Sequence, residues 1–498
     1  MRIWLDTSYH EKHVVDDCKD CNHPDERRAN GATPFAEMLP TFPLRLSPSL
    51  HVQESSNEYW LVCNPVRGGR IAVLDAEAMA LLALFQIPIT LTQVEAREPW
   101  EDFEAAILLF YHLGFLYAMN NHSPSSQWEE THSLTVWLHV TNECNMRCHY
   151  CYVQKTHDNM SSHVGHQSVD AIFRSARKHH IKHVQLKYAG GEASLHMMSV
   201  IALHDYAVQQ ALKYNIALDA VILSNGVALS QRSIENLKTR QIAVTISLDG
   251  LGVYHDSQRP LLGGQGSSKY IQRTIECLLA NDMKPSLSVT VSQRNLFGLP
   301  TLMGYILEHD LPFTLSYYRE NAYSSSVADL CFADEQIIVA MRSTFAAIEK
   351  NLPERSLLSS LLDKADMATT HRRTCGVGQN YMVIDQNGGV AKCQMDIHRT
   401  VATVASDDPL YLIRTDRQGV QGFSVEEKEP CRTCSWRYWC TGGCPMLTYR
   451  STGRYDVKSP YCNIYKALFP DVLRLEALRL LRYVPAFDFK REKTRSVL

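Results

Sequence analysis

Six short apolar runs, near residues 135–141, 184–189, 219–224, 242–248, 286–291 and 312–318, alternate with stretches of helical periodicity. Strands separated by a helix-length connection cannot close as tight hairpins, so this rhythm calls for parallel β/α units. Six such units predict an α/β fold built on a partial (β/α)6 TIM-type barrel, open on one side. Folds of this kind carry their chemistry on the loops that follow the strands' C-terminal ends. The first of those loops holds Cys144, Cys148 and Cys151, with Tyr150 just before the last cysteine.

A chain of 498 residues with 45% hydrophobic and 21% charged content is globular in composition, with room for about three domains. The net charge of −3, without a long single-sign run, predicts no nucleic-acid and no membrane partner. Met1–His10 is polar, with no signal-peptide core, and the longest mostly apolar run, Ala78–Ile89, is too short to span a bilayer. A cytoplasmic location is therefore expected, where the 15 cysteines stay thiols. Most of them crowd into two groups, which favours metal ligation over disulfides.

Residues 1–40 read as a polar, poorly ordered leader. Its Cys18 and Cys21, flanked by His10, His13 and His23, make at most half a zinc site, because no second pair follows nearby. Over 41–120, two β-type runs, Glu58–Cys63 and Arg70–Asp75, flank a turn at Asn64–Gly69. Asp75 can cap a helix that carries Met79, Leu82 and Phe85, and a later helix stops at Gly114. The pattern is winged-helix-like. Its four basic residues, Arg45, Arg67, Arg70 and Arg97, face nine carboxylates, the wrong balance for binding phosphates. A linker at 121–127 leads to the barrel, 130–325, and then to a helical bridge, 326–370, with Phe345, Ala346 and Ile348 as candidate buried positions. A cysteine-rich domain over 371–470 and a basic amphipathic helix with a frayed tail over 471–498 complete the chain.

Three cysteines on one compact loop can hold three irons of a cubane cluster, and no fourth cysteine lies close in sequence. The remaining iron is then open to chelate the amino and carboxylate groups of S-adenosylmethionine and to pass an electron to its sulfonium. Breaking that C–S bond gives a 5′-deoxyadenosyl radical, which can take hydrogen from an inert C–H bond. At the second strand's end stand Gly190, Gly191 and Glu192; the glycines permit close backbone approach and Glu192 offers acceptors for an ammonium. Ser224 and Asn225 close the third strand and Ser247–Gly250 the fourth, followed by His255–Pro260 and Gly263–Ser267. Val289–Asn295 lies at the fifth.

The three-cysteine loop and these strand-end motifs together resemble the radical SAM superfamily. The resemblance implies that Cys144, Cys148 and Cys151 ligate a [4Fe-4S] cluster and form the catalytic centre. It implies cofactor contacts from Tyr150, Gly190, Gly191, Glu192, Ser224, Asn225, Ser247 and Arg259, with Tyr150 beside the adenine. Ala193 departs from the family's usual proline. Downstream, Cys375, Gly388 and Cys393, then Cys431, Cys434, Cys440, Cys444 and Cys462, resemble the SPASM domain, an auxiliary iron–sulfur module of radical SAM enzymes that act on peptides and proteins. That resemblance assigns Cys431, Cys434, Cys440 and Cys462 to one auxiliary [4Fe-4S] cluster. It assigns Cys375, Cys393 and Cys444 to another nearer the radical site, whose fourth ligand is His371, another side chain or an open position. Residues 41–120 resemble the PqqD-like peptide-recognition domain, which binds a precursor's leader as an added strand. Cys63, Cys277 and Cys331 read as small buried hydrophobes.

The combined resemblance is to a radical SAM/SPASM peptide maturase. It implies an oxidoreductase that uses S-adenosylmethionine and three [4Fe-4S] clusters to modify, by crosslinking, a ribosomally synthesised precursor peptide. The leader would bind residues 41–120, and a flavodoxin- or ferredoxin-type protein would donate electrons. Thioether, carbon–carbon or carbon–oxygen bonds and epimerisation are all compatible. Tyr317, Tyr318 and Glu320, at the sixth strand's end, are acid–base candidates whose ordinary roles are packing and surface. The alternatives are a maturase of a larger protein, of sulfatase or quinohaem amine dehydrogenase type, and a non-catalytic iron–sulfur redox-sensing or binding protein.

Overall fold

The structure, a computed structural model, describes residues 1–6, 42–56, 58–97, 103–119, 132–324 and 326–487. The first unit is a sheet with a short ribbon beside it. Its strands are β1 (Ile3–Trp4), β2 (Leu44–Leu46), β3 (His51–Ser56), β4 (Tyr59–Cys63), β5 (Ile71–Asp75) and β6 (Leu116–Ala118). The sheet runs β1-β5-β4-β3, while β2 pairs with β6. Asp75 ends β5 and caps the helix Ala76–Ala83, its carboxylate accepting from the Ala78 N–H at 2.9 Å. Gly114, at φ +70°, turns the chain after the helix Phe103–His112, as expected. Alternation along the strands splits the sheet's two faces. Val62, Ala72 and Leu74 pack on this unit's own helices, whereas Leu61, Cys63, Ile71 and Val73 join the main core.

All six expected parallel strands form: β7 (Ser133–Thr141), β8 (His183–Gly190), β9 (Ala217–Ser224), β10 (Ala243–Ser247), β11 (Ser286–Val291) and β12 (Phe313–Tyr317). They lie side by side in chain order, each parallel to the next. Leu134, Val136, Leu138 and Val140 of β7 face the core beneath the helices, while Trp137 packs against a separate cluster with Val377 and Cys393. The sheet then crosses the boundary expected at residue 370. Strand β13 (Tyr381–Ile384) pairs parallel with β7, and β14 (Gly389–Ala391) and β15 (Thr400–Thr403) continue antiparallel. Its edges are β12 and β15, so it does not close. Cysteine spacing had marked 371 onward as a separate module, but the fully buried run Tyr381–Ile384 satisfies its backbone bonds on β7.

Several expectations are corrected. In the bridge helix Asp334–Lys350, Phe345 and Ile348 are buried but Ala346 is exposed, because the apolar stripe runs through Ile337, Met341, Phe345 and Ile348. The final helix spans Cys462–Tyr483, starting well before residue 471, and is a buried spine. It packs on the helix 334–350 and on β3, β4 and β5. Its Arg479 is neutralised by Glu476 at 2.7 Å and by Asp6 at 2.8 Å, so this charge serves the interior. Of the three spare cysteines Cys63 is buried, Cys277 half-buried and Cys331 exposed. Cys18, Cys21 and the leader beyond residue 6, the linker 121–127 and the tail after 487 lie outside the described residues. No helix among the described residues is long and apolar enough to cross a membrane.

Candidate active site and auxiliary cysteine groups

The loop of Cys144, Cys148 and Cys151 leaves β7 and is held from two sides. On one side the end of β8 crosses beneath it: Gly191 donates to Thr141 O at 2.6 Å and the Glu192 N–H to Glu143 O at 2.7 Å. A Cβ on Gly191 would sit 2.2 Å from Glu143 O, and one on Gly190 would sit 2.4 Å from Thr141 O. The glycine pair is therefore needed for this backbone crossing. On the other side the loop is laced to the segment 258–262 by Arg147 N–H to Pro260 O (2.9 Å), His149 N–H to Gln258 O (3.0 Å) and Leu262 N–H to Asn145 O (2.9 Å).

Glu192, expected to offer acceptors to an ammonium, is buried and already engaged. Ser224 Oγ at 2.7 Å and Ser194 N–H at 3.1 Å donate to one oxygen, and Asn225 N–H at 2.6 Å to the other. A carboxylate has about four lone-pair sites, so three are used inside the protein. Glu192 thus ties the end of β8 to the end of β9. That placement aims the Asn225 side chain at the cysteine loop, where its amide donates to Asn145 Oδ1 at 2.7 Å and lies 3.8 Å from Cys144 Sγ.

A second buried network closes the other flank. Tyr150 donates to Asp249 Oδ2 at 2.6 Å and accepts from Arg259, whose guanidinium lies 3.8 Å from the same carboxylate and 5.8 Å from the Tyr150 ring centre. Asp249 is fixed by Thr290 N–H at 2.8 Å and, through its carbonyl, by Asn295 at 2.6 Å. Its own N–H donates to His255 Nδ1 at 3.1 Å, so the imidazole proton sits on Nε2, 3.0 Å from Ser267 Oγ. Burial holds His255 neutral. The sequence singles out Tyr150 and Arg259, holds Asp249 and Asn295 within strand-end motifs without a role of their own, and gives no sign of Asn321, which donates to Tyr150 O at 3.1 Å. Asp249 was in plain view inside the fourth strand-end motif. Ser247 is half-buried at the end of β10, in register with Ser288.

Burial pushes the Cys144 thiol up and Cys148 up to about 12, with Arg259 pulling Cys148 back. Two further thiol groups form downstream. Cys393 feels Cys444 and Cys375, and burial pushes it up to about 12. Cys440, likewise raised to about 12, feels Cys431, Cys434 and Cys462, and Cys431 is raised to about 11. Thr374 stitches the groups together: its hydroxyl lies 2.8 Å from Thr441 Oγ1 and 2.8 Å from Gly443 O. His371 is buried with its N–H on Tyr438 O. Of the acid–base candidates, Tyr317 packs on Phe332, Tyr461 and Tyr465, Tyr318 bonds Ser324 Oγ at 2.8 Å, and Glu320 is exposed. Arg319, between them, was not singled out. It makes a two-pronged bond to Asp363 at 2.6 and 2.7 Å and faces Cys444.

These donors fit iron–sulfur clusters, since thiols that burial keeps protonated are relieved when metal cations replace their protons. Among the described residues no three His, Cys, Asp or Glu side chains form a single-ion site. Ser194 Oγ, His139 Nδ1, Trp137 Nε1 and Arg259 Nε are buried without a partner among those residues, leaving capacity for a polar ligand.

Residues 138–300 match the Radical SAM superfamily. An uncharacterized protein of Methanocaldococcus jannaschii is 25% identical over 171 residues, 34% of this chain and 57% of that protein, so the match spans little over half of that relative. The antilisterial bacteriocin subtilosin biosynthesis protein AlbA of Bacillus subtilis is 23% identical over 265 residues, 51% of this chain and 54% of AlbA. The serine-type anaerobic sulfatase-maturating enzyme of Bacteroides thetaiotaomicron is 20% identical over 369 residues, 66% of this chain and 86% of that enzyme. A solved structure of anSMEcpe with bound AdoMet and Cp18Cys peptide shares the fold at a TM-score of 0.56 and 16% identity, over 70% of this chain and 99% of that one. Residues 138–300 of this chain are a radical SAM domain, with relatives among bacteriocin-biosynthesis and sulfatase-maturating proteins.

Proposed function

We propose that this protein cleaves S-adenosylmethionine reductively and crosslinks a ribosomally synthesised precursor peptide. The observation that supports the reading is the placing of Cys144, Cys148 and Cys151 on one loop at the end of β7, inside the stretch 138–300 that matches the Radical SAM superfamily. Cys144, Cys148 and Cys151 would hold the [4Fe-4S] cluster that, with S-adenosylmethionine bound, supplies a 5′-deoxyadenosyl radical. Around that site Glu192 locks two strand ends, Asn225 orients the loop, and the Tyr150, Asp249 and Arg259 network seals its flank from water. Cys431, Cys434, Cys440 and Cys462 would hold one auxiliary cluster and Cys375, Cys393 and Cys444 the other. The latter has an open or non-cysteine fourth site, and a Mössbauer spectrum with thiolate on every iron would exclude that.

The first unit supplies the peptide contact. Strand β3 is the outer strand of its sheet, unpaired on one side among the described residues, which suits addition of a leader strand. A flavodoxin- or ferredoxin-type protein is the proposed electron donor. The test is co-expression with the product of a short reading frame beside the gene, followed by mass spectrometry. Loss of a hydrogen pair per crosslink supports the reading, whereas unchanged mass with solvent deuterium uptake redirects it to epimerisation. Protein that binds S-adenosylmethionine but never yields 5′-deoxyadenosine overturns it in favour of a sensing role. The longer alignment with a sulfatase-maturating enzyme motivates a second reading, tested by conversion of a sulfatase serine or cysteine to formylglycine.

A further inference from the structure

Two buried lysines lie in the cysteine-rich region, and only one has a carboxylate. Lys392 donates to two carbonyls and pairs with Asp416 at 2.6 Å. Lys428 is only 2% exposed, yet its ammonium has a single hydrogen-bond acceptor, Thr441 O at 2.8 Å, and no carboxylate pairs with it among the described residues. Burial works against the Lys428 ammonium and lowers its pKa, so the charge persists only where something anionic faces it.

The cysteines would supply that charge once they are thiolate ligands of a cluster. Lys428 bonds Thr441 O in the turn between Cys440 and Cys444, an oxygen that also accepts from Thr374, next to Cys375, at 3.3 Å, and the charges that act on it are Cys431 and Cys440 of one auxiliary group and Cys375 and Cys444 of the other. The contact is built in: a Cβ at Gly442 would fall 2.8 Å from Lys428 Cδ, 3.2 Å from its Nζ and 3.5 Å from Cys431 Sγ. Gly442, at φ +78°, therefore leaves the path along which the lysine reaches the thiols. Lys458 and Lys466 also act on this region but are exposed, where solvent screens them. Arg319 beside Cys444 is neutralised by Asp363. Lys428 is thus the buried cation here whose charge is left for the cysteine groups.

We propose that Lys428 is the shared countercharge of the two auxiliary clusters and raises the midpoint potential of both. The proposal rests on the reading that these thiols hold clusters. Taking up one electron makes a cluster more negative by one charge, and a fixed cation in a water-poor site favours that reduced state. Lys428 acts through the clusters and is a positioning residue.

The experiment is an EPR-monitored redox titration of the full chain, anaerobically reconstituted, with iron counted first. Iron for the three-cysteine loop alone in the wild type would overturn the cluster reading itself. With auxiliary iron present, Lys428→Gln should lower both auxiliary midpoints by at least about tenfold in the reduction equilibrium, about 59 mV for one electron, and leave the loop cluster's midpoint in place. Lys428→Arg, which keeps the charge, should stay near wild type. If either auxiliary midpoint is unmoved in fully loaded Lys428→Gln, the shared role is overturned. Should Lys428→Gln lose auxiliary iron, retention by Lys428→Arg supports the countercharge, and equal loss in both variants overturns it in favour of side-chain shape.

Discussion

Cys144, Cys148 and Cys151 sit on one loop at the end of β7, whereas the seven downstream cysteines are spread from Cys375 to Cys462 over turns, a strand end and the start of the last helix. The first group inherits its geometry from parallel strands: β8, β9 and β10 end in sequence, and Glu192 and Asp249 tie those ends to the loop and its flank. The second meets the sheet only where Cys393 follows β14 and is otherwise held by point contacts such as Thr374 to Gly443 O and Lys428 to Thr441 O. Charge differs in the same sense. Arg259 beside Cys148 has the Asp249 carboxylate, while Lys428 has a carbonyl and no carboxylate among the described residues. The difference teaches that a regular sheet can neutralise the charges beside its loop with its own carboxylates, whereas the downstream turns leave a buried lysine with no described carboxylate.

The largest effect tests the separation of the two regions. Replacing Cys144, Cys148 and Cys151 together by alanine abolishes S-adenosylmethionine cleavage, read as 5′-deoxyadenosine, and leaves iron in the downstream groups. Cleavage that survives would remove the loop from the chemistry. Next comes the pair between the regions. Arg319→Met strands the buried Asp363 carboxylate and lowers stability in urea by about 3–5 kcal/mol, and adding Asp363→Leu recovers most of it. A single-variant loss near zero would mean that the pair is solvated.

The contrast also explains what the sequence made legible. Six strands alternate cleanly with helices, and all six came within a few residues of the observed bounds, because a buried parallel sheet demands continuous apolar runs. The local loop motif announced itself by spacing. Strands β13, β14 and β15 did not, since they are short, and cysteines drew attention from the apolar Tyr381–Ile384 run. The burial of the last helix is hidden in the sequence because Arg479 and Glu476 look solvent-facing until Asp6, far away in sequence, completes their network. Glu192 shows its acceptors in the sequence, while its bonds to Ser224 and Asn225 depend on strand neighbours that spacing cannot rank. Lys428 carried no local signal at all.

A pH experiment probes the sheet side. His139 is buried on β7, bonded through Nε2 to Asn142 Oδ1 at 2.7 Å, and burial lowers it from 6.5 to about 4. Between those values the unfolded chain binds the proton and the folded one does not, so stability falls as pH drops through that window. The loss reaches about 3 kcal/mol. His139→Gln should flatten thermal stability between about pH 6.5 and 4 relative to the wild type, with His255 leaving a residual slope of the same sign. An unchanged slope would show that the imidazole is solvated.

The smallest effect tests the point contacts. Thr374 and Thr441 are both buried, and the Thr374 hydroxyl meets Thr441 Oγ1 and Gly443 O at 2.8 Å, bracketing the turn between Cys440 and Cys444. Thr374→Val keeps the shape and removes the hydroxyl, leaving a buried carbonyl unsatisfied at a cost of about 1–3 kcal/mol. In the sheet region such a loss would be spread over a continuous ladder; here it falls on a turn that sets the distance between two thiol groups. Thr374→Val should therefore release auxiliary iron faster under a chelator challenge while 5′-deoxyadenosine formation persists. If all iron leaves at one rate in both proteins, the downstream groups are held as firmly as the loop, and the contrast between frame and point contact fails.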